Sequence, residues 1–303
     1  MKIAIVGGSG LIGKFLAEEL KNRGEYLLLI SRNSENSKAK IPIYDDYFTW
    51  DYKTSASLEK KINSFDVVIN LTGASIGGKR WIKSYLKEIR NSRVIITELI
   101  SKAICNCKEK PDLFISSSAI GFYGNVKDNL LDESSKQGDD FLAKICVEWE
   151  EESKIVEKWN VRLANIRTGV VLANEGGALD KMLLPFKLFV GGPLGSGKQW
   201  FPWIHIKDEI KSILFIIDNK KINGPVNLVA PNHITMNQFA KTLGKVLNRP
   251  SFFRVPKFIL RIVIGKATEN ILASQKAVPA KLLNNGFKFN YISIEAALED
   301  LLK

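Results

Sequence analysis

The chain has 303 residues, 45% hydrophobic and 25% charged, proportions of a soluble globular protein rather than a disordered or collagen-like one. No apolar run approaches the ~18 residues of a membrane span, so no membrane partner is expected. The 44 Lys and Arg outnumber 32 Asp and Glu, for a net charge of +12. The excess is scattered, as at Lys60, Lys61, Lys83, Lys87, Lys220 and Lys221, without a dense basic block interleaved with aromatics; nucleic acid is not expected either. Three cysteines (Cys105, Cys107, Cys146) and two histidines make neither a disulfide framework nor an ordinary zinc site. Together with the absence of a signal-like N-terminus, they point to a reducing cytoplasm.

In chain order, residues 2–6 are a short apolar run bounded by glycine, as a buried parallel strand should be. Over 11–23, Leu11, Ile12, Phe15, Leu16 and Leu20 recur at helical spacing, and Gly24 stops the helix. Residues 26–31 read as a second strand, completing a βαβ unit of right-handed crossover. Further strands are predicted at 47–50, 66–71, 113–118 and 161–167. A long helix is predicted at 83–105, with Ile89, Val94, Ile95, Leu99 and Ile100 mostly inward. Another is predicted over 139–159. This alternation predicts an α/β fold, a Rossmann-type doubly wound parallel sheet.

After about residue 170, Gly176-Gly177, the glycine-rich run at 191–197 and Pro202 break the pattern. Helices are predicted at 207–218, 236–247, 258–265 and 294–302. The expected organisation is a dinucleotide-binding domain over 1–170, with a returning strand at 225–229. A smaller, mostly helical substrate region follows over 171–303, without a flexible linker.

Gly7-Gly8-Ser9-Gly10-Leu11-Ile12-Gly13 lies between the first strand and first helix. Gly7 permits a tight turn, Gly10 close approach of a pyrophosphate, and Gly13 close helix packing. The N–H groups at the helix start, around Leu11 and Ile12, and the helix dipole favour phosphate. After the second strand stand Ser31, Arg32 and Asn33, where a carboxylate would bind the ribose of NAD. Arg32 instead suits a 2′-phosphate. The expected cofactor is therefore NADP, with NAD second.

Several segments together carry a resemblance: the glycine turn, 70–73 (NLTG), Arg80-Trp81, 89–93 (IRNSR), 116–124 (SSSAIGFYG), 138–143 (GDDFLA), Trp149-Glu150, 167–172 (RTGVVL), 191–197, Trp203-Ile204-His205 with Asp208, and Gly286-Phe287. The chain resembles an extended short-chain dehydrogenase/reductase, the superfamily of sugar-nucleotide epimerases and dehydratases. Within it, the chain is most similar to the epimerase family proteins, which end in a small domain of unassigned function. The resemblance implies that Leu71, Thr72 and Gly73 line the adenosine ribose. It implies that Ser116 lies at the cofactor, that Ser118 is the catalytic serine, and that Arg167, Thr168 and Gly169 lie near the nicotinamide. It also implies a possible homodimer through the 83–105 helix.

One departure stands out. With Glu150 as anchor, the superfamily's Tyr-x-x-x-Lys falls on Leu142 and Cys146. Neither can serve as proton donor or pKa-lowering cation. Lys144 is two residues off, ~200° around a helix. Tyr123 and His205 are alternative acid/base candidates. Cys146 reads as core and Asp139-Asp140 as a helix cap. Arg80 and Lys198 are candidates to grip an anionic substrate, and Trp81 and Trp200 to stack on a flat ring. The expected function is an NADP-binding oxidoreductase or sugar-nucleotide-epimerase-like enzyme transferring hydride to or from a small substrate, without a metal. The alternative is an NADP(H)-binding sensor or regulator without turnover.

Overall fold

The computed structural model describes residues 1–77 and 79–303. The apolar runs become one sheet of parallel strands: β1 (Lys2–Val6), β2 (Tyr26–Ser31), β3 (Asp46–Thr49), β4 (Val67–Asn70), β5 (Leu113–Ala119), β6 (Arg162–Thr168) and β7 (Gly224–Leu228). Their order is β7-β6-β5-β4-β1-β2-β3. Ile3 and Ile5 enter one core, Ala4 and Val6 another. With both faces covered, the strands read as unbroken apolar runs rather than alternating ones. The chain builds outward from β1 to β3, then returns to lay β4 on the other side of β1. The crevice of such a fold opens at that reversal, beyond the strands' C-terminal ends.

Helix α1 (Leu11–Asn22) follows β1. The single helix predicted at 83–105 is two, Lys83–Asn91 and α2 (Val94–Asn106). At Arg93 the backbone leaves the helix (φ −109°, ψ −66°). Its guanidinium bonds the carbonyls of Ile89 at 3.1 Å and Ala74 at 3.0 Å. The Ser92 hydroxyl accepts from the Ala74 N–H at 2.9 Å. These bonds hold the loop after β4 in the notch. Hydrophobic spacing runs on through the break and cannot reveal it.

Helix α3 (Phe141–Lys154) is capped by Asp140, whose carboxylate accepts from the Ala143 N–H at 2.9 Å. The predicted remainder to 159 is a 3₁₀ turn, Ile155–Trp159. Helix α4 (Gly177–Lys187) forms where the sequence shows only a glycine break and Pro185. Leu179, Leu183 and Phe186 bury one face of it. Helices α5 (Ile206–Asp218), α6 (Met236–Leu247), α7 (Lys257–Ile264) and α8 (Ile294–Leu302) complete the second half. Ile206, Ile210 and Ile213 of α5 share one core with Leu16 and Leu20 of α1.

The C-terminal segment is tied down by the start of α5. The Asp208 carboxylate accepts from the Asn290 and Tyr291 N–H groups, both at 2.8 Å. His205 stacks on Tyr291 at 3.7 Å between ring centres, and its Nε2 lies 3.3 Å from Asp300. Burial pushes His205 down to about 4, so it is neutral near pH 7. Its contacts hold the C-terminal segment in place.

One carboxyl interrupts the apolar core of α5. Glu209 is fully buried. One oxygen accepts from the Thr168 hydroxyl at 2.8 Å, and the other has no partner among the described residues. Burial pushes this carboxyl from the ordinary 4.5 up to about 8. The folded protein therefore keeps a proton that the unfolded chain releases. Stability contributed by this group falls by ~1.4 kcal/mol per pH unit from the unfolded value up to the folded one, then levels off. Glu209→Gln is expected to be nearly neutral near the acid end of that window and to stabilise by ~3 kcal/mol about two pH units above it. Urea denaturation of both proteins across the window measures the difference; equal pH slopes would refute it.

Candidate functional site

The turn between β1 and α1 is built from three glycines with different jobs. Gly7 has φ +77°, and a side chain there would meet Thr72 and the Leu71 carbonyl carbon at 3.0–3.1 Å. At Gly13 a Cβ would lie 2.3 Å from the Gly8 oxygen, so α1 seats directly on the turn. Gly10 differs. Its backbone is extended (φ −81°, ψ 179°), no side chain caps the helix, and a Cβ would meet only the Gly7 oxygen, at 3.7 Å. The N–H groups of Leu11, Ile12 and Gly13 therefore open a helix end with no intrahelical acceptor. This uncapped, glycine-walled helix end fits a pyrophosphate. Behind it, the buried Tyr44 hydroxyl lies 3.0 Å from the Gly8 oxygen and 3.2 Å from that of Gly13. Tyr44 is a brace that no motif announces.

The neighbouring strand ends complete the groove. The Leu71 N–H donates to Val6 at 2.8 Å. Thr72 donates from its hydroxyl to Asn70 Oδ1 at 2.6 Å, and Asn70 donates to Thr97 at 2.8 Å. Gly73 is exposed, with the Arg93 guanidinium 3.2 Å from where its Cβ would stand. At the end of β2 the Ser31 hydroxyl is buried, 3.0 Å from that of Ser37. Arg32 is exposed, and among the described residues no carboxylate pairs with it. Its charge acts on the half-buried Tyr52 phenol, lowering it against the larger upward push of burial.

A buried ionic network underlies the serine strand. Ser118 donates to Glu150 Oε1 at 2.6 Å. Arg167 grips both Glu150 oxygens at 2.8 Å, and its guanidinium lies 3.4 Å from the Phe122 ring centre. It also donates to the Tyr123 hydroxyl at 3.0 Å. That hydroxyl lies 2.7 Å from Asn227 Oδ1 and 2.8 Å from the Asp132 carbonyl. Tyr123 is fully buried, and burial pushes its phenol up to about 12. Arg167 and Tyr123 thus face each other inside the fold. Ser116 is buried opposite Asn70 and Asn165, its hydroxyl without a partner. Thr168 is turned onto Glu209, and Gly169 lies so close that a Cβ would be 2.5 Å from the Pro202 oxygen.

Leu142 and Cys146 do lie beside this strand end. A Cβ on Gly121 would stand 3.8 Å from Leu142 and 3.9 Å from the Cys146 sulfur. Burial pushes the Cys146 thiol up to about 12, so it is neither a ready nucleophile nor a cation. Lys144 is exposed.

The four wall residues divide. Trp81 is buried, donates to Ile76 at 2.9 Å and packs edge-on against Phe141. Arg80 is exposed beside Gly265. Trp200 donates to Asp128 at 2.9 Å, with Lys276 over its ring at 4.4 Å. Lys198 is exposed. The two tryptophans serve separate clusters.

A strap crosses the groove. Glu175 pairs with Lys14 at 2.9 Å, one residue past Gly13. A Cβ on Gly177 would stand 3.0 Å from Leu11, and Lys181 donates to the Gly77 carbonyl at 2.9 Å. The start of α4 therefore spans from α1 to the loop after β4. Among the described residues no cluster of His, Cys, Asp and Glu could hold a metal ion.

The space at Gly10 makes a clean test. Gly10→Val is expected to fold normally and lose dinucleotide affinity by at least ~100-fold, since only a ligand meets the new side chain. Gly13→Val should instead lower the melting temperature. Calorimetry with NADPH and thermal denaturation separate the two, and undiminished binding by Gly10→Val would show the turn to be structural only.

Residues 3–229 match the NAD dependent epimerase/dehydratase family, and residues 255–301 match a domain of unknown function, DUF1731. The epimerase family protein YfhF of Bacillus subtilis is 36% identical over all of this chain and 98% of its own. The crystal structure of human epimerase family protein SDR39U1, isoform 2, with NADPH superposes with a TM-score of 0.90 at 32% identity over 99% of both chains. UDP-glucuronic acid 4-epimerase from Bacillus cereus, solved with NAD, shares the fold at a TM-score of 0.79 and 17% identity, over 99% of this chain and 96% of its own. With its glycine turn, reversed strand order and full-length relatives, this chain belongs to the NAD dependent epimerase/dehydratase family, in the branch of the epimerase family proteins that carry the DUF1731 domain.

Proposed function

We propose that the protein is an NADP-dependent oxidoreductase or epimerase-like enzyme acting on a small substrate. The uncapped helix end at Gly10 carries this reading, because it is a built anion cradle that the fold itself does not need. Arg32 supports NADP over NAD, and the human relative solved with NADPH agrees with it. In this reading Gly7, Gly10, Leu11, Ile12 and Gly13 hold the pyrophosphate. Ser31 and Arg32 hold the adenosine phosphate, and Leu71, Thr72 and Gly73 the ribose. A nicotinamide, when bound, supplies or accepts hydride.

Ser118 is the polar group we assign to the reacting oxygen. The Glu150–Arg167 pair holds it in place, the preorganisation such groups need. While its hydroxyl donates to Glu150, Ser118 offers lone pairs to a substrate hydroxyl. Turned outward, it donates to a carbonyl oxygen. Arg80 and Lys198 are the exposed cations assigned to an anionic substrate. A second reading, NADP(H) binding without turnover, is favoured by one observation: Leu142 and Cys146 remove the usual proton relay.

Two measurements test these assignments. NADPH should bind at least ~10-fold more tightly than NADH, and Arg32→Asp should erase or reverse the preference, since a charge-assisted bond contributes ~1.5–3 kcal/mol. Equal affinities in the unaltered protein would sink the assignment. Single-turnover oxidation of bound NADPH against a panel of carbonyls should slow by ~10²–10³ in Ser118→Ala. Cys146→Ser should change it less than about threefold, because that thiol packs rather than reacts. The opposite pattern would overturn the role of Ser118, and no turnover across the panel would favour the binding-only reading.

A further inference from the structure

The net charge is not evenly spread. Between positions 219 and 268 the chain has no Asp or Glu and nine Lys and Arg. The same stretch contains the most exposed aromatic side chains of the molecule. Phe252 is 74% exposed, Phe258 65% and Ile262 70%. Phe258, Ile259 and Ile262 lie at helical i, i+1, i+4 spacing, one face of α7, and all three are exposed. Arg261 and Lys266 are exposed beside them.

The end of α4 extends this surface. Leu188 is 63% exposed, and Phe189 and Val190 are exposed with it. The two segments are joined: the Phe253 N–H donates to Gly191 at 3.1 Å, and that of Val255 to Pro193 at 3.0 Å. The Arg249 guanidinium lies 4.4 Å from the Phe189 ring centre. Among the described residues, nine of nineteen exposed large hydrophobics fall in these two segments, so the patch is concentrated rather than the single scattered side chains of an ordinary surface.

We propose that this face, built on α7 and the end of α4, docks on an anionic lipid bilayer. The charge pattern chooses the partner: protruding Phe, Ile and Leu enter the interfacial layer while Arg249, Arg261 and Lys266 meet lipid phosphates, and the carboxylates of Glu269 and Glu295 are each neutralised by a lysine, Lys257 and Lys245, at 2.6 Å. A nucleic acid would use the cations but leave the aliphatic side chains of α7 in water. A second copy would bring the same cations face to face. No helix among the described residues is long and apolar enough to cross a membrane, and a helix lying in the interface needs no such length. The sequence expectation of no membrane partner considered spans alone. The docked face also adjoins the cleft wall, since α7 ends at Gly265, which packs on Arg80.

The test is co-sedimentation of the full chain with vesicles of phosphatidylglycerol and phosphatidylcholine, against vesicles of phosphatidylcholine alone. At least ~10-fold stronger binding to the anionic vesicles is expected, weakening as salt is raised. Phe258→Glu with Ile262→Glu should abolish it while NADPH affinity and melting temperature hold. Arg261→Glu with Lys266→Glu, which leaves the apolar face intact, should weaken it at least ~10-fold. Equal binding to both vesicle types, or full binding by either double variant, would overturn the proposal. So would retention on a DNA or RNA column without vesicle binding. A dimer in size-exclusion chromatography that Phe258→Glu with Ile262→Glu dissociates, again without vesicle binding, would assign the face to a second copy instead.

Discussion

The bidentate pair between Glu150 and Arg167 organises the chemistry-bearing end of this molecule. Both side chains are almost fully buried, where an unpaired charge is severely destabilising and removal of one partner typically costs ~3–5 kcal/mol. The pair joins α3 to β6. Through Ser118 it reaches β5, and through Tyr123 and Asn227 it reaches β7. Three adjacent strand ends are thereby fixed relative to α3. One and two turns before Glu150 this helix carries Cys146 and Leu142. The orientation of Ser118 is kept by the buried Glu150–Arg167 pair.

The two halves of the site have therefore been constrained differently. The dinucleotide half is backbone: glycines, N–H groups and a helix end, with Tyr44 behind them. Backbone sites tolerate little variation, because a side chain at Gly7 or Gly13 collides with main-chain atoms. The reacting half is side chain, and side chains can be exchanged while the sheet stays intact. That asymmetry leaves α3 free to present Leu142 and Cys146, neither a proton donor nor a cation, near the turn after β5.

The same asymmetry decided what could be read before the fold was known. Buried parallel strands show as apolar runs, and the glycine turn shows because only glycine meets its steric demands. β1, β2, β4, β5, β6, β7 and the doubly wound Rossmann class were legible for that reason. The break at Arg93 was not, since apolar periodicity passes through it and its cause is a set of long-range bonds to Ala74. Helix α4 was hidden by Gly176, Gly177 and Pro185, local breakers overridden by the burial of Leu179, Leu183 and Phe186. Within the site, Arg32 and the glycines stood out by position. Tyr44 and Glu209 did not, because their significance comes from neighbours 31 to 41 residues away. Arg80, Trp81, Lys198 and Trp200 were grouped by composition, whereas tertiary packing sends the two tryptophans to separate clusters.

The strap from Glu175 to Lys181 is held by several small contacts rather than one strong one. It runs from Leu11 to Gly77, past the uncapped end of α1. Gly176 and Gly177, both at positive φ, give the strap a joint at its start, and Asp180 accepts from the Gly176 N–H to set its closed form. The Lys14–Glu175 latch is exposed and thus weak, worth ~0–1 kcal/mol. Moving the start of this helix therefore means breaking several weak contacts together and not any one strong bond.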